Sequence, residues 1–148
     1  MTRAEQAAKY FVEGYNCAQA VGIAFSDLTG ISQEQTAKML SGFGGGFGRL
    51  REVCGAVSGM TFVFSALYGY EAPNPEHQMA VYQTEQAMAG KFKEKAGSII
   101  CREILKNPPS DPAPTPRTEE FYKLRPCARM VYLASEILDN YIVQNPVQ

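Results

Sequence analysis

Apolar residues recur at helical spacing along most of the chain. The residues that share one helical face near the N-terminus are Ala7, Ala8, Phe11, Val12 and Tyr15. Asn16 is a favourable N-cap for a second helix, which is expected to end at Gly30. Ser32 and Gln35 form a capping-box pattern at the start of a third helix. The first 40 residues are therefore predicted to form three helices.

Two central segments depart from the amphipathic pattern. Residues 42–48 read GFGGGFG, and each glycine in a helix costs about 1 kcal/mol relative to alanine. We expect a loop whose backbone turns sharply or approaches another group closely. Residues 53–70 carry no formal charge, but they are short for a bilayer span of roughly 20 apolar residues and contain several small and polar side chains. This segment is predicted to be a central, buried, glycine-containing helix and not a membrane span.

The C-terminal half also favours helices. Residues 75–95 predict a long amphipathic helix. Its expected inward-facing residues are Met79, Val81, Tyr82, Ala87, Met88 and Phe92. Gly97 should end this helix, Ser98 should cap a short helix through Leu105, and Pro126 should open the last helix.

Residues 107–116 contain five prolines in ten positions and have no apolar period. Such a composition predicts an extended or disordered connector. Together these patterns predict an all-α fold, a compact single-domain bundle of five or six helices spanning residues 1–148.

Composition excludes several functional classes. The chain has 148 residues, and its net charge of −1 does not provide the basic surface that nucleic acids require. The N-terminal residues are charged and lack the apolar region of a secretory signal, so a cytoplasmic protein with reduced thiols is expected. A homo-oligomer is compatible with a small helical protein, although no sequence feature demonstrates one.

The four cysteines are the main chemical resource. They are Cys17, after the cap Asn16; Cys54, after the glycine loop; Cys101, three residues after Ser98; and Cys127, after Pro126. Each is therefore predicted in the first turn of a helix, where free N–H groups and the helix dipole lower a thiol pKa. The alternative is that they are small buried apolar residues.

No two cysteines form a CxxC pair, so neither a thioredoxin-type motif nor a zinc ribbon is present. If the cysteines act together, tertiary folding must gather them. Cys54 is the best candidate nucleophile, because a glycine-lined opening would keep its sulfur accessible, with Cys17, Cys101 and Cys127 as resolving or partner thiols.

Several segments of the chain resemble one known family. These are GYNCAQAV at 14–21, EVCGAVSG at 52–59, GSIICREIL at 97–105 and the late Cys127. They resemble the family of proposed redox-active proteins named for its cysteine pattern, C_GCAxxG_C_C, whose core is CGAxxG. The core matches Cys54, Gly55, Ala56 and Gly59, and the resemblance extends from about residue 14 to residue 137.

The resemblance implies a helical protein with redox activity, and it implies a transport-associated partner because members often occur beside transporter genes. The four family cysteines correspond to Cys17, Cys54, Cys101 and Cys127. Arg51 is a departure, because we expect the family more often to have a small residue there.

The glycines around Cys54 have two interpretations. Gly44, Gly45 and Gly46 form either a nest of N–H groups for an anion or cofactor, with Arg49 and Arg51 adding charge, or a tight corner between helices. No Lys-Ser/Thr follows, so a P-loop is not indicated. Gly55 is a further cofactor-contact candidate.

The spacing of Gly55 and Gly59 places both on one face of a helix and favours close packing against a second cysteine-bearing helix. His77, the only histidine, is expected to be a solvated residue in a first helical turn.

Three functions remain open from the sequence. The first is thiol–disulfide exchange or electron transfer with an unidentified redox partner. The second is a zinc or iron–sulfur site in which the four cysteines are equal ligands. The third is a non-catalytic helical module that binds a transport-associated partner.

Overall fold

The structure is helical, as the sequence predicts. The computed structural model describes residues 1–147. Its helices are α1 (Arg3–Val12), α2 (Cys17–Ala24), α3 (Ser26–Thr29), α4 (Gln33–Met39), α5 (Gly44–Phe47), α6 (Gly55–Tyr68), α7 (Pro75–Ala96), α8 (Cys101–Ile104), α9 (Glu119–Leu124) and α10 (Cys127–Gln144). Within residues 1–147 there is no β-strand, and the one isolated β-bridge pairs Val53 with Ile100.

The predicted number of five or six helices is wrong, because residues 1–147 form ten. Five of these have at least eight residues, and the others are short. The predicted second helix is divided at Phe25, whose backbone leaves helical geometry between α2 and α3. Helix α9 was not predicted, although Thr118 caps it by accepting from the Phe121 N–H.

Local capping signals set several helix starts as predicted. The Asn16 side chain accepts from the Gln19 N–H at 2.8 Å, and the Gln19 side chain accepts from the Asn16 N–H at 3.0 Å. Ser32 caps α4 by accepting from the Gln35 N–H at 3.1 Å. Pro126 directly precedes α10.

The expected cap at Ser98 is wrong, because α8 begins only at Cys101 and its N-cap is Ile100. Ser98 Oγ instead accepts from the Ile100 N–H at 2.9 Å and donates to Glu103 at 2.6 Å. The Ser98 side chain therefore fixes the turn before α8.

Helix α6 occupies the centre of the fold and packs against α2, α7 and α10, while α1 packs against α2 and α10. Fully buried side chains such as Phe25, Phe64 and Phe92 fill the core, and each contributes about 1.5–3 kcal/mol through burial. This packing holds the N-termini of α2, α6 and α10 at one side of the core.

Helix α7 has fewer buried residues than its sequence pattern predicts. Of the six residues expected to face inward, Met88 and Phe92 are buried, Val81 is half-buried, and Met79, Tyr82 and Ala87 are exposed. The expectation was wrong for the exposed residues because α7 buries only one narrow face, which carries Met88 and Phe92 one turn apart. Within residues 1–147, none of the helices has both the length and the apolar composition that crossing a bilayer requires.

Candidate functional site

All four cysteines lie at helix starts, as predicted. Cys17, Cys101 and Cys127 are the first residues of α2, α8 and α10, and Cys54 is the N-cap of α6. All four are free thiols, and all four line one cavity of about 200 Å³. The fold therefore gathers cysteines that are far apart in sequence.

Backbone pairing brings Cys54 beside Cys101. Around the bridge between Val53 and Ile100, the Cys54 N–H donates to the Ile99 carbonyl at 2.7 Å. The Cys101 N–H donates to the Glu52 carbonyl at 2.6 Å. These two bonds hold the starts of α6 and α8 together.

Close packing of glycines brings α2 against α6. A Cβ added at Gly55 would lie 3.1 Å from the Cys17 Cβ, and one added at Gly59 would lie 2.6 Å from the Ala18 carbonyl oxygen. The predicted packing role of these two glycines is confirmed, and the second cysteine-bearing helix is α2.

The glycine-rich segment winds in the left-handed sense. Gly45 and Gly46 have φ of 66° and 73°, and Phe47, Gly48 and Arg49 continue with φ of 74°, 61° and 65°. L-residues disfavour this conformation by about 1–2 kcal/mol each, which explains the abundance of glycine. The expected sharply turning loop is confirmed, and the four-residue element α5 within it is a left-handed turn.

The same segment packs tightly on two helix starts. A Cβ at Gly44 would lie 2.7 Å from the Asn16 Cβ, and one at Gly46 would lie 2.6 Å from the Cys101 Cβ. Gly44, Gly45 and Gly46 line the cavity. Their close contacts are thus with the protein itself, whereas contact with a cofactor stays a prediction.

Cys17 and Cys127 form a thiol pair. Both thiols line the cavity, and both residues are half-buried. Interaction with the Cys17 thiol lowers the pKa of Cys127 to about 7, against the effect of burial and with help from the charges of Arg125 and Arg117. Interaction with Cys127, together with burial, raises the pKa of Cys17 well above its usual range. The arginine charges favour the thiolate on Cys127, so that Cys17 is the thiol that keeps its proton.

Cys54 and Cys101 differ from this pair. Burial raises the pKa of Cys54 to about 12, although backbone N–H groups of α6 oppose the change. Burial also raises the pKa of Cys101, against the effect of Arg51. The expectation that a helix start lowers the pKa of every cysteine is wrong for Cys17, Cys54 and Cys101. Burial outweighs the backbone N–H groups of α6 at Cys54 and the charge of Arg51 at Cys101, and at Cys17 burial adds to the effect of Cys127. Cys54 is also only 6% exposed, so the accessible sulfur expected there is not observed.

Arginines supply the charge of the cavity. Those that line it are Arg49, Arg51, Arg117 and Arg125, and no Asp or Glu of the described residues lines it. Arg51 is 4% exposed, and its Nε donates to the Pro109 carbonyl at 2.9 Å. Its Nη1 donates to Cys101 Sγ at 3.7 Å, and its buried Nη2 has no hydrogen-bond partner within residues 1–147.

The proline-rich connector lies across this cavity. It has no helix, as predicted, but we name residues 109–117 the strap because arginine side chains fasten it. Arg49 Nε donates to the Asp111 carbonyl at 2.7 Å, and Arg49 Nη1 donates to Thr115 Oγ1 at 2.8 Å. At the end of the strap, Arg117 donates to the carbonyls of Phe11 and Tyr15.

Two of these arginines were not predicted. The glycine loop pointed to Arg49 and Arg51, which lie beside it in the sequence, but not to Arg117 or Arg125 as part of a thiol site. Arg125 carried a local signal, because it precedes Cys127 by two residues. Arg117 carried none, because only the path of the strap brings it to the cavity.

The alternative function, a metal site, requires several ligand side chains placed together. Within residues 1–147, no three His, Cys, Asp or Glu side chains are placed together to hold an ion. His77 lies in the first turn of α7, is exposed as expected, and does not line the cavity.

Comparison with known proteins identifies one family. A family model described as "Putative redox-active protein (C_GCAxxG_C_C)" matches residues 15–141, which is most of the chain. Comparison with curated proteins and with solved structures finds no match to either.

Proposed function

The chain belongs to the C_GCAxxG_C_C family, and from this premise we propose that it carries out thiol–disulfide exchange with Cys127 as attacking thiolate and Cys17 as resolving thiol. One observation carries the proposal: the thiols of Cys17 and Cys127, at the starts of α2 and α10, share one cavity in which arginine charges favour the thiolate of Cys127. The cavity is large enough for a small substrate to reach both sulfurs.

The proposed exchange proceeds in two steps. The Cys127 thiolate attacks one sulfur of a substrate disulfide, so that a mixed disulfide forms and the other sulfur leaves as a thiolate. Cys17 then loses its proton and attacks the Cys127 sulfur, which releases the second half of the substrate as a thiolate. The pair gives two electrons to the substrate and ends as a Cys17–Cys127 disulfide. A dithiol reductant returns it to the starting state.

Cys127 replaces Cys54 as the preferred nucleophile for a physical reason. A thiol with a pKa of about 7 is half thiolate near neutral pH, whereas a thiol with a pKa of about 12 is almost entirely protonated. Cys54 and Cys101 therefore start as neutral thiols, and we assign them no attack on the substrate.

The proposal is tested by trapping the mixed disulfide. Reduced protein is mixed with 2-hydroxyethyl disulfide, quenched in acid, alkylated and mapped by peptide mass spectrometry. We expect the intact chain to become about 2 Da lighter, with Cys17 joined to Cys127. Cys17→Ser should accumulate the mixed disulfide on Cys127, Cys127→Ser should not react, and Cys54→Ser, the matched control, should behave as the unmodified chain.

Two results would overturn this assignment. One is a disulfide or mixed disulfide that forms first on Cys54. The other is zinc, or iron with sulfide, retained on anaerobically purified protein and lost when any one cysteine is replaced. That result would make the cysteines ligands.

A further inference from the structure

Arg51 is a buried cation without a carboxylate partner. It is 4% exposed, and it takes part in none of the ion pairs found within residues 1–147. One neighbour is the Pro109 carbonyl, and the other is Cys101, a neutral thiol at neutral pH because burial raises its pKa. Burying an unpaired charge is expensive, so such a group usually faces an anion.

Arg51 belongs to the cavity that holds the thiol pair. Arg51, Cys17 and Cys127 all line it, and Arg51 Nη2 is buried without a hydrogen-bond partner. The wall of this cavity therefore contains a cation whose hydrogen-bonding capacity is not fully used within the described residues.

Two further arginines leave the cavity positively charged. Arg125 stacks on the Phe121 ring at 5.4 Å, and Arg117 stacks on the Phe11 ring at 4.2 Å. Neither takes part in an ion pair with a carboxylate among the described residues. Of the four lining arginines, only Arg49 has one, Asp111 at 3.8 Å.

The volume of the cavity limits the size of the ligand that can bind there. Its volume of about 200 Å³ is below the roughly 300–1,000 Å³ that is common for drug-sized ligands. A small molecule therefore fits better than a loop of a folded protein.

We propose that the substrate of this site is a small anionic disulfide, whose carboxylate or other oxyanion group is bound by Arg51 while its sulfur lies against Cys127. This inference rests on the proposed exchange reaction and specifies its substrate class. Arg51 binds the anionic group through charge-assisted hydrogen bonds. The substrate disulfide is the oxidant: its S–S bond breaks as the bond to Cys127 forms, and the leaving thiolate takes the electron pair.

A series of small disulfides of different charge tests the proposal. The probes are dithiodiglycolate, which is anionic, 2-hydroxyethyl disulfide, which is neutral, and cystamine, which is cationic. The rate constant for oxidation of the reduced protein is measured with each probe for the unmodified chain and for Arg51→Gln. Arg129→Gln is the matched control, because Arg129 is exposed on α10 and does not line the cavity.

We expect Arg51→Gln to slow oxidation by dithiodiglycolate about tenfold more than oxidation by 2-hydroxyethyl disulfide. Oxidation by cystamine should be slowed least. The ratio of the rate constants for two probes does not depend on the reactivity of Cys127, because a change in that reactivity affects all three probes equally. Equal slowing of the three probes would overturn the proposal and leave the exchange reaction intact. If Arg51→Gln does not fold, Arg125→Gln replaces it with the same expected order.

A non-reacting analogue separates binding from chemistry. Adipate has the length and charge of dithiodiglycolate but no sulfur, and 1,6-hexanediol is its neutral counterpart. Calorimetry should show that adipate binds the unmodified chain and Arg129→Gln with similar affinity. Adipate should bind Arg51→Gln about tenfold more weakly, and hexanediol should bind none of the three. Binding of adipate without oxidation by any disulfide would support the anion site and refute the exchange reaction. Absence of adipate binding to the unmodified chain would refute the anion site.

Discussion

Gly59 of α6 lies directly against the carbonyl oxygen of Ala18 in α2, so that a Cβ at Gly59 would come within 2.6 Å of it. Ala18 follows Cys17, and Gly59 lies one helical turn after Gly55, which contacts Cys17. This close crossing of α2 and α6 places the first cysteine at the cavity that also holds Cys54.

The first prediction concerns this crossing. Gly59→Ala should lower the free energy of unfolding by about 1–3 kcal/mol, because α2 must move away from α6. Gly90→Ala is the control, since no atom lies within 4 Å of its added Cβ and alanine favours a helix interior. Urea titrations of both variants measure the difference, and equal stability of the two variants would contradict the packing described here.

The second prediction compares two left-handed glycines. Gly46 and Gly30 have nearly the same φ, 73° and 74°. A Cβ added at Gly46 would lie 2.6 Å from the Cys101 Cβ, whereas one added at Gly30 would have no atom within 4 Å. Gly30→Ala should lower the free energy of unfolding by about 1–2 kcal/mol, because alanine is strained in the left-handed conformation. Gly46→Ala should lower the free energy of unfolding by more than this. It should also alter the rate at which Cys101 is alkylated, which mass spectrometry measures. Equal destabilisation by the two substitutions, with unchanged Cys101 alkylation, would show that the loop is not tightly packed on α8.

The third prediction concerns pH. The lowered pKa of Cys127 means that its reactive thiolate predominates above about pH 7 and is lost as the pH falls through that value. The rate of Cys127 alkylation by iodoacetamide should therefore rise with a midpoint near pH 7. Cys17→Ala removes the thiol whose interaction lowers the pKa of Cys127, so this midpoint should shift upward.

Cys54→Ala serves as the control for this pH profile, because the thiol whose interaction lowers the pKa of Cys127 is Cys17. An unchanged midpoint in Cys17→Ala would mean that the thiol pair does not exist in solution.

The fourth prediction concerns the strap. Arg49→Gln removes the donors to the Asp111 carbonyl and to Thr115 Oγ1. Hydrogen exchange in peptides covering residues 107–118 should therefore become faster, and Cys101 should become easier to alkylate. Arg129→Gln should change neither rate. Strap exchange that stays the same in Arg49→Gln would show that other contacts hold the strap.

Local signals explain what the sequence could predict. Asn16 and Pro126 determine the starts of α2 and α10 through side-chain capping and a fixed backbone angle, which depend on only a few neighbouring residues. The positions of Cys17 and Cys127 at helix starts follow directly from them. The glycine-rich turn was predictable for the same reason, since its conformation excludes most other residues.

The chemistry of the thiols was not predictable in the same way. The pKa of Cys54 is decided by burial in the assembled core, and the pKa of Cys127 by contact with Cys17 from another helix. Likewise, Arg117 reaches the cavity only because the strap crosses it. These relationships join distant parts of the chain, and a pattern of neighbouring residues does not contain them.

The strap and α10 also set the order in which the site is completed during protein synthesis. Arg117 donates to Phe11 and Tyr15, residues made 106 and 102 positions earlier. At about 5–20 residues per second, Cys17 exists for roughly 5–20 s before Cys127 is added. During that interval Cys17 has no neighbour from α10, and Arg117 and Arg125 are added only within its last ten residues. A nascent chain therefore carries ordinary thiols, and it acquires its reactive one only when the last helix docks.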